Sequence, residues 1–303
     1  MKILILGLGS IGKRHIEIIK KLNENSEFYA LRSSKPSPSL KNITNLYSWK
    51  EVESHDFYFS IISSPSEFHF DQIKKVSKLE IPVFVEKPLC VSKKQLDNLN
   101  KKNTSPLLYV ALNMRFHPLI GYLKDYLKNS NHKINEVNAY CGSYLPKWRL
   151  EDHKKTYSSS KNLGGGVHLD LIHEPDYLIY LFGYPKKIYK NTRRVSNITN
   201  DSCDFANYIF DYNDFSAQIT LNYFRIDKKR VLEIVTDKST IEIDFVKGTI
   251  IDLVKKNIIL KLDGDLMSES YYEQMKFWIK SIDEKDLSIN NLLDSKKLLE
   301  SIL

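Results

Sequence analysis

The opening residues, MKILILGLGSIGKRH, set a short apolar run directly against a glycine-rich turn and the start of a helix. This order constrains the chain more than any other feature. An uninterrupted run such as Ile3 to Leu6 reads as a strand buried on both faces, which a parallel sheet requires. The turn that follows has the spacing G-x-G-x-x-G. Gly7 permits the tight turn, Gly9 lets backbone approach a pyrophosphate, and Gly12 lets the helix pack on the strand. Ser10 and Ile11 open that helix, whose first N–H groups and positive dipole end suit an anion. The segment is therefore read as a dinucleotide loop, with Gly7, Gly9, Ser10, Ile11 and Gly12 as cofactor contacts.

The end of the second strand addresses which dinucleotide. NAD-binding chains place an acid there for the ribose 2′-hydroxyl. Here the residues are Ala30-Leu31-Arg32-Ser33-Ser34-Lys35, with no acid. Arg32 suits a 2′-phosphate and Ser33 and Ser34 can hydrogen-bond it, so NADP is preferred over NAD.

Strand-like and helix-like runs alternate through the first 90 residues. KILILGL, EFYALRS, DFYFSIISS and IPVFVEKPL read as strands, and Lys13 to Leu22 and Phe68 to Lys78 as helices. The pattern predicts a parallel sheet with helices on both faces. Such sheets bind ligands at the carboxyl ends of their strands. That rule adds Ser64, Pro65 and His69 after the third strand, and Glu86 and Lys87 after the fourth, to the cofactor contacts.

Beyond Pro118 the pattern changes. A helix over Leu119 to Lys128 precedes closely spaced strands separated by turns such as DYND, TDKS and VKG, which predicts a mostly antiparallel open sheet. Helices over Tyr271 to Ile282 and Leu292 to Leu303 close the chain. The fold class is α/β, with a Rossmann domain over 1–116 and an α+β substrate and oligomerisation domain over 117–303.

Composition narrows the function. Of the 303 residues 42% are hydrophobic and 27% charged, as in a globular protein, and no apolar run approaches the roughly 20 residues of a membrane helix. The N-terminal run lacks a signal-peptide cleavage site, and Cys90, Cys141 and Cys203 are too widely spaced for a disulfide framework or a C-x-x-C metal site. A cytoplasmic protein with core thiols is expected. The net charge of +8 comes from dispersed lysines, which argues against nucleic acid and in favour of anionic small molecules. No membrane and no metal are expected.

Residues 164–176, GGGVHLDLIHEPD, concentrate polar chemistry. His168 and His173 are five apart, roughly 140° around a helix, which prevents joint chelation, and the zincin spacing H-E-x-x-H is absent. On one continuous helix Asp170, His173, Glu174 and Tyr177 share an arc of about 100° that can face a ligand, while the glycines allow backbone to approach beneath the cofactor. Pro175 requires that the helix begin late or kink there.

The glycine loop, S-P-x-x-x-H at 64–69, Glu86-Lys87-Pro88, NMRFHP at 113–118 and the GGG helix occur in this order, and in this the chain resembles the Gfo/Idh/MocA oxidoreductases over nearly its whole length. The resemblance implies a Rossmann domain followed by a sheet domain used for sugar binding and oligomerisation, hence a homodimer or homotetramer. It puts Lys87 near the nicotinamide and the reacting hydroxyl, and His173, three residues before Asp176, as the family's helix histidine. Asp170 departs from the pattern, standing three residues before His173 where most members have four. The stretch YLPKWRLEDHKKTYSSSKNLGGGVHLDLIHEPDYLIYLFG is similar to a subgroup associated with bacterial surface sugars, including sialic-acid-like nonulosonates. A sugar or sugar-nucleotide substrate is implied.

Hydride transfer needs a group that moves the hydroxyl proton. A free imidazole titrates near neutrality, so His173 is assigned that role, with Lys87 polarising the oxygen; the two roles are exchangeable, and Asp170 completes the catalytic set. Arg115 is read either as an anchor for a substrate anion or as an ion pair at a helix start, with Asp176 on the substrate side. Trp148, Arg149 and Tyr157 either contact a sugar or pack their loop. Asp152 to Lys155 read as a solvated charge run. A methyltransferase leaves E-K-P and the second domain unexplained. The rival from another class is a catalytically silent nucleotide sensor on the same scaffold.

Overall fold

In the computed structural model, which describes all residues except 34–39, 101–103, 106 and 151, six parallel strands form the first sheet. In chain order the elements are β1 (Lys2–Leu6), α1 (Ser10–Leu22), β2 (Glu27–Leu31), β3 (Ile43–Leu46), α2 (Trp49–Glu53), β4 (Phe59–Ile62), α3 (His69–Val76), β5 (Val83–Glu86), α4 (Lys93–Asn98) and β6 (Leu108–Ala111). The strand order is β3-β2-β1-β4-β5-β6, with β1 central: Ile5 faces Ala30 of β2 on one side and Ile61 of β4 on the other. Ile3 to Leu6 are at most 1% exposed, and each such burial contributes about 1.5–3 kcal/mol. Strand order reverses at β1, between β2 and β4, and in open α/β sheets the carboxyl edge at such a point is where ligands bind. The expected strands and helices are present, and β3, β6, α2 and α4 are additions to them.

The second sheet has eight strands. After α5 (Pro118–Asn129) come β7 (Ile134–Gly142), two short helices, α6 (Val167–Asp170) and α7 (His173–Phe182), then β8 (Lys187–Arg193), β9 (Phe205–Asp211), β10 (Ser216–Asn222), β11 (Lys229–Thr236), β12 (Thr240–Asp244), β13 (Thr249–Asp252) and β14 (Asn257–Lys261). Their order is β14-β13-β12-β11-β7-β10-β9-β8; only β7 and β10 run parallel, and every other pair is antiparallel. Alternation along β9 and β10 buries Ala206, Tyr208, Phe210, Ala217, Ile219 and Leu221 on one face. The chain is thus a Rossmann sheet followed by a mostly antiparallel sheet, as its patterning predicts.

The division into units is not a single cut. One compact unit comprises Met1–Leu112 with Tyr271–Ser301 and Leu303, the other Asn113–Ser270 with Ile302. Of the closing helices α8 (Leu266–Glu284) and α9 (Leu292–Ile302), expected in a domain over 117–303, the part from Tyr271 to Glu284 and all of α9 but Ile302 fall in the first unit. The reason is aromatic packing. Trp278 of α8 is fully buried, with its ring 5.5 Å from Tyr109, 5.9 Å from Phe59 and 6.1 Å from Phe84. Asn290 extends the edge: its carbonyl accepts from Val110 N at 2.8 Å and its side chain donates to the Tyr109 hydroxyl at 2.9 Å. Among the described residues no helix is long and apolar enough to cross a membrane.

Candidate active site

The glycine loop differentiates its three positions sharply. Gly7 has φ +99°, and a Cβ there would lie 2.3 Å from Ser64 N, so the turn is packed against the end of β4. A Cβ on Gly12 would lie 2.3 Å from Gly7 O, which fixes helix against loop. Ser63 Oγ donates to Gly7 O at 2.7 Å. Gly9 is different: a Cβ would meet nothing within 4 Å. The open side of the loop is therefore Gly9, at the N-terminus of α1, where no side chain caps the helix. Intrahelical bonding begins with Lys13 N to Gly9 O at 3.1 Å, leaving the N–H groups of Ser10, Ile11 and Gly12 available to an anion. A dinucleotide pyrophosphate fits this arrangement, since the Cβ that glycine omits would occupy the approach.

Arg32 follows β2, half-buried, with Nη1 3.4 Å from Asn45 Oδ1 of β3. Ser33 is exposed, and Ser34 lies outside the described residues. Ser64 is half-buried and Pro65 exposed. His69, by contrast, is 1% exposed, with its ring nitrogens on the carbonyls of Pro88 (2.8 Å) and Ser64 (2.9 Å). Burial pushes its pKa down, against the pull of those carbonyls. The Glu86 carboxylate is likewise turned inward, 2.6 Å from Nε2 of the buried His15. Lys87 is half-buried at the end of β5, the strand beside β4. Loops from the three adjacent strands β1, β4 and β5 thus leave the sheet at one edge carrying Gly9, Ser64 and Lys87.

In the second unit the polar arc expected on one helix is divided. Helix α6 ends at Asp170, Leu171 breaks the backbone at φ −101°, ψ 33°, and α7 begins at His173 with Pro175 in its first turn. Asp170 and His173 therefore belong to separate helices. Glu174 and Tyr177 do not face a ligand: both are fully buried, and Arg230 Nε donates to Glu174 Oε1 at 2.5 Å. The glycines also serve another purpose than the expected one. A Cβ on Gly165 would lie 2.0 Å from Tyr157 O, so the backbone admitted close to the glycines is the protein's own 157–160 turn.

That turn assembles several of the predicted residues. Tyr157 donates to Asp170 Oδ1 at 2.9 Å and Tyr223 to Asp170 Oδ2 at 2.6 Å. The Arg149 guanidinium lies 5.1 Å over the Tyr157 ring, and the Trp148 ring meets Tyr223 edge-on at 5.3 Å. Trp148 Nε1 donates to Ser143 Oγ at 3.0 Å. Both phenols are held well above their ordinary pKa, Tyr157 chiefly by the Asp170 charge and Tyr223 chiefly by burial. They remain neutral donors. Trp148 and Arg149 are exposed, whereas Asp170 is 6% exposed. Tyr223, just past β10, was not anticipated, because nothing in its local sequence separates it from an ordinary strand-end aromatic. His173 is half-buried at the first position of α7.

Arg115 and Asp176 occupy each other. Arg115 donates from Nη2 and Nε to the Asp176 carboxylate at 2.6 and 3.0 Å, with the two side chains 5% and 0% exposed. Of the two readings of Arg115, this is the ion pair, and it leaves Asp176 sealed from solvent. Among the described residues no group of three or more His, Cys, Asp or Glu side chains could hold a metal ion.

Comparison with known proteins agrees with this geometry. Residues 1–105 match the sequence model of the Gfo/Idh/MocA group, described as an oxidoreductase family with an NAD-binding Rossmann fold. Solved structures share the whole fold. GenD2 from gentamicin A biosynthesis, in complex with NAD, is 15% identical, with 100% of this chain and 92% of that chain covered at a TM-score of 0.80. Levoglucosan dehydrogenase, in complex with NADH and levoglucosan, is 13% identical, with 100% and 97% covered and a TM-score of 0.83. The UDP-N-acetylglucosamine 3-dehydrogenase GnnA from Acidithiobacillus ferrooxidans is 16% identical, with 100% and 95% covered and a TM-score of 0.75. At these identities the likeness is one of fold. Residues 1–105, with their open glycine loop, are thus similar to the NAD-binding Rossmann part of the Gfo/Idh/MocA oxidoreductases, and the chain as a whole shares the fold of these dehydrogenases.

Proposed function

We propose that this protein is a nicotinamide-dependent dehydrogenase or reductase that acts on a hydroxyl or keto carbon of a sugar or sugar nucleotide, in the biosynthesis of a surface glycan. The observation that carries the reading is the carboxyl edge of the first sheet, where the loop left open at Gly9 is accompanied by Lys87 on a neighbouring strand. The dehydrogenases of similar fold that act on levoglucosan and UDP-N-acetylglucosamine support a sugar class, and the exposed Trp148 and Arg149 offer a stacking face and an anion-binding fork for such a ligand.

A bound nicotinamide supplies the hydride acceptor or donor. By the resemblance, His173 is the residue that takes the hydroxyl proton in the oxidative direction and returns it in reduction, and Lys87 is the residue that polarises the reacting oxygen. The resemblance permits the exchanged assignment. Asp170, held by two phenols, keeps the 157–160 turn and its neighbours Trp148 and Arg149 in place beside α6. Arg32, in the position of the missing acid, supports NADP over NAD. The resemblance further supports a homodimer or homotetramer, and the wide cysteine spacing supports a cytoplasmic setting.

The test measures nicotinamide absorbance on mixing the protein with candidate sugars and sugar nucleotides, for wild type, His173→Asn and Lys87→Met. Loss of about 10²–10⁴ in turnover is expected for each variant, with dinucleotide affinity kept within about threefold. Undiminished turnover in His173→Asn would defeat its role. Dinucleotide binding without any turnover across the panel would favour the silent sensor.

A further inference from the structure

Two buried histidines reach Glu86-Lys87-Pro88 from two different helices. His15 stands on α1 one turn beyond Gly12 and is fully buried, with its ring edge-on to Phe84 at 5.0 Å and Tyr271 at 6.1 Å. Its Nε2 lies 2.6 Å from Glu86 Oε1, and its Nδ1 has no hydrogen-bond partner among the described residues. A neutral imidazole there carries its proton on Nε2 and donates it to the carboxylate. The other oxygen, Glu86 Oε2, accepts from the backbone N–H of Lys87 at 3.3 Å.

The second arm starts at the glycine turn. Gly7 is packed on Ser64, whose carbonyl lies 2.9 Å from His69 Nε2, and the Pro88 carbonyl lies 2.8 Å from His69 Nδ1; the neutral ring, with one N–H, donates to one of the two. Both arms therefore begin on the dinucleotide loop or its helix, and each ends on a residue adjoining Lys87.

We propose that His15 is a positioning residue which couples the dinucleotide loop to Lys87, acting through Glu86 without touching substrate. The proposal rests on the reading of Lys87 as the residue beside the reacting oxygen. A buried hydrogen bond to a carboxylate is short and strong, so a displacement of α1 by a bound pyrophosphate is transmitted to the Lys87 peptide rather than absorbed. By linkage, whatever fixes Lys87 also favours the loop geometry that binds dinucleotide.

The experiment needs no substrate. Acylation of Lys87 by an amine-reactive reagent is followed by peptide mass spectrometry with and without saturating NAD⁺ or NADP⁺, alongside dinucleotide affinity and thermal unfolding. Wild type is expected to show about tenfold slower acylation with dinucleotide bound. In His15→Leu, which keeps the packing and loses the donor, the slowing should shrink to under about twofold, and by linkage dinucleotide affinity should fall by the matching factor of about five. His15→Gln, whose amide can still reach Glu86, should restore it, and His15→Asn, one methylene shorter, should not. If the Leu variant fails to fold, the Gln and Asn pair carries the comparison. Full slowing in the Leu or Asn variant overturns the coupling and leaves the reading of Lys87 intact. Loss in the Gln variant equal to that in Asn, with matching loss of affinity, also overturns it, since that is general loosening. Unchanged acylation of wild-type Lys87 by a dinucleotide that binds would overturn the reading of Lys87 and the coupling together.

Discussion

Arg115 grips the Asp176 carboxylate through two of its nitrogens, Nε and Nη2, in a pair that is almost completely sealed from solvent. Removal of either partner strands a charge in the interior, which costs about 3–5 kcal/mol. Arg115→Met and Asp176→Leu should each lower the urea unfolding free energy by that amount. The double variant should recover much of the loss, because apolar replacement removes both charges. Equal, additive losses would mean that the two residues act independently.

Gly7 and Gly9 make a matched comparison. Gly7→Ala forces a Cβ to within 2.3 Å of Ser64 N at a φ of +99°, and should destabilise the protein by about 3 kcal/mol or more. Gly9→Ala has room, with φ −74° and no atom within 4 Å. It should leave the unfolding free energy within about 0.5 kcal/mol of wild type yet weaken dinucleotide binding by about tenfold or more, since the added methyl occupies the pyrophosphate approach. Calorimetry of the two variants separates the effects, and a Gly9 variant with normal affinity would remove the pyrophosphate from that position.

The proposed preference for NADP assigns the discrimination between cofactors to Arg32. Arg32→Ala should weaken NADP by about tenfold and NAD by less than about threefold, because only the former carries the 2′-phosphate. Fluorescence titration with both dinucleotides reads this directly. Clearly tighter NAD binding by the wild type would reverse the preference.

His117 makes stability depend on acidity. Burial, and secondarily the Arg230 charge, pushes its pKa down from 6.5 to about 4. The unfolded chain therefore takes up the proton before the native one does. The contribution is complete above about pH 6.5 and is lost as pH falls toward 4, reaching about 3 kcal/mol. His168, also held at about 4 by burial, acts in the same direction. His117→Asn keeps an acceptor for Leu119 N, which His117 Nδ1 now caps at 3.2 Å, but removes the titration. The difference in unfolding free energy between wild type and variant should shrink between pH 7 and pH 4.5; a constant difference would exclude this origin.

Periodicity and turn chemistry made the two sheets legible, because parallel strands buried on both faces and alternating antiparallel ones leave different patterns. The short helices α2 and α4 escaped notice although each carries a local signal. The Ser48 hydroxyl accepts from Glu51 N at 3.2 Å and donates to the Glu51 carboxylate, and the Ser92 hydroxyl accepts from Gln95 N at 3.3 Å, both in the sequence pattern S-x-x-E/Q. The glycine loop was readable residue by residue, since its demands are steric and local. The partners of His15 and Arg115, and Tyr223 as a partner of Asp170, were not, because each lies 53 or more positions away, and no short-range pattern encodes a contact that only the folded topology creates.

The return of α8 and α9 to the first unit reverses the usual schedule of synthesis. Domains commonly fold as they emerge from the ribosome, N-terminal first. Here β6 gains its Asn290 edge and the sheet its Trp278 cover only after the whole intervening second unit has been translated. The unit that begins to be made first is the one completed last, and a nascent chain stopped at Leu112 would carry the dinucleotide loop on a sheet that still exposes Phe59, Phe84 and Tyr109 to the chaperones waiting at the tunnel exit.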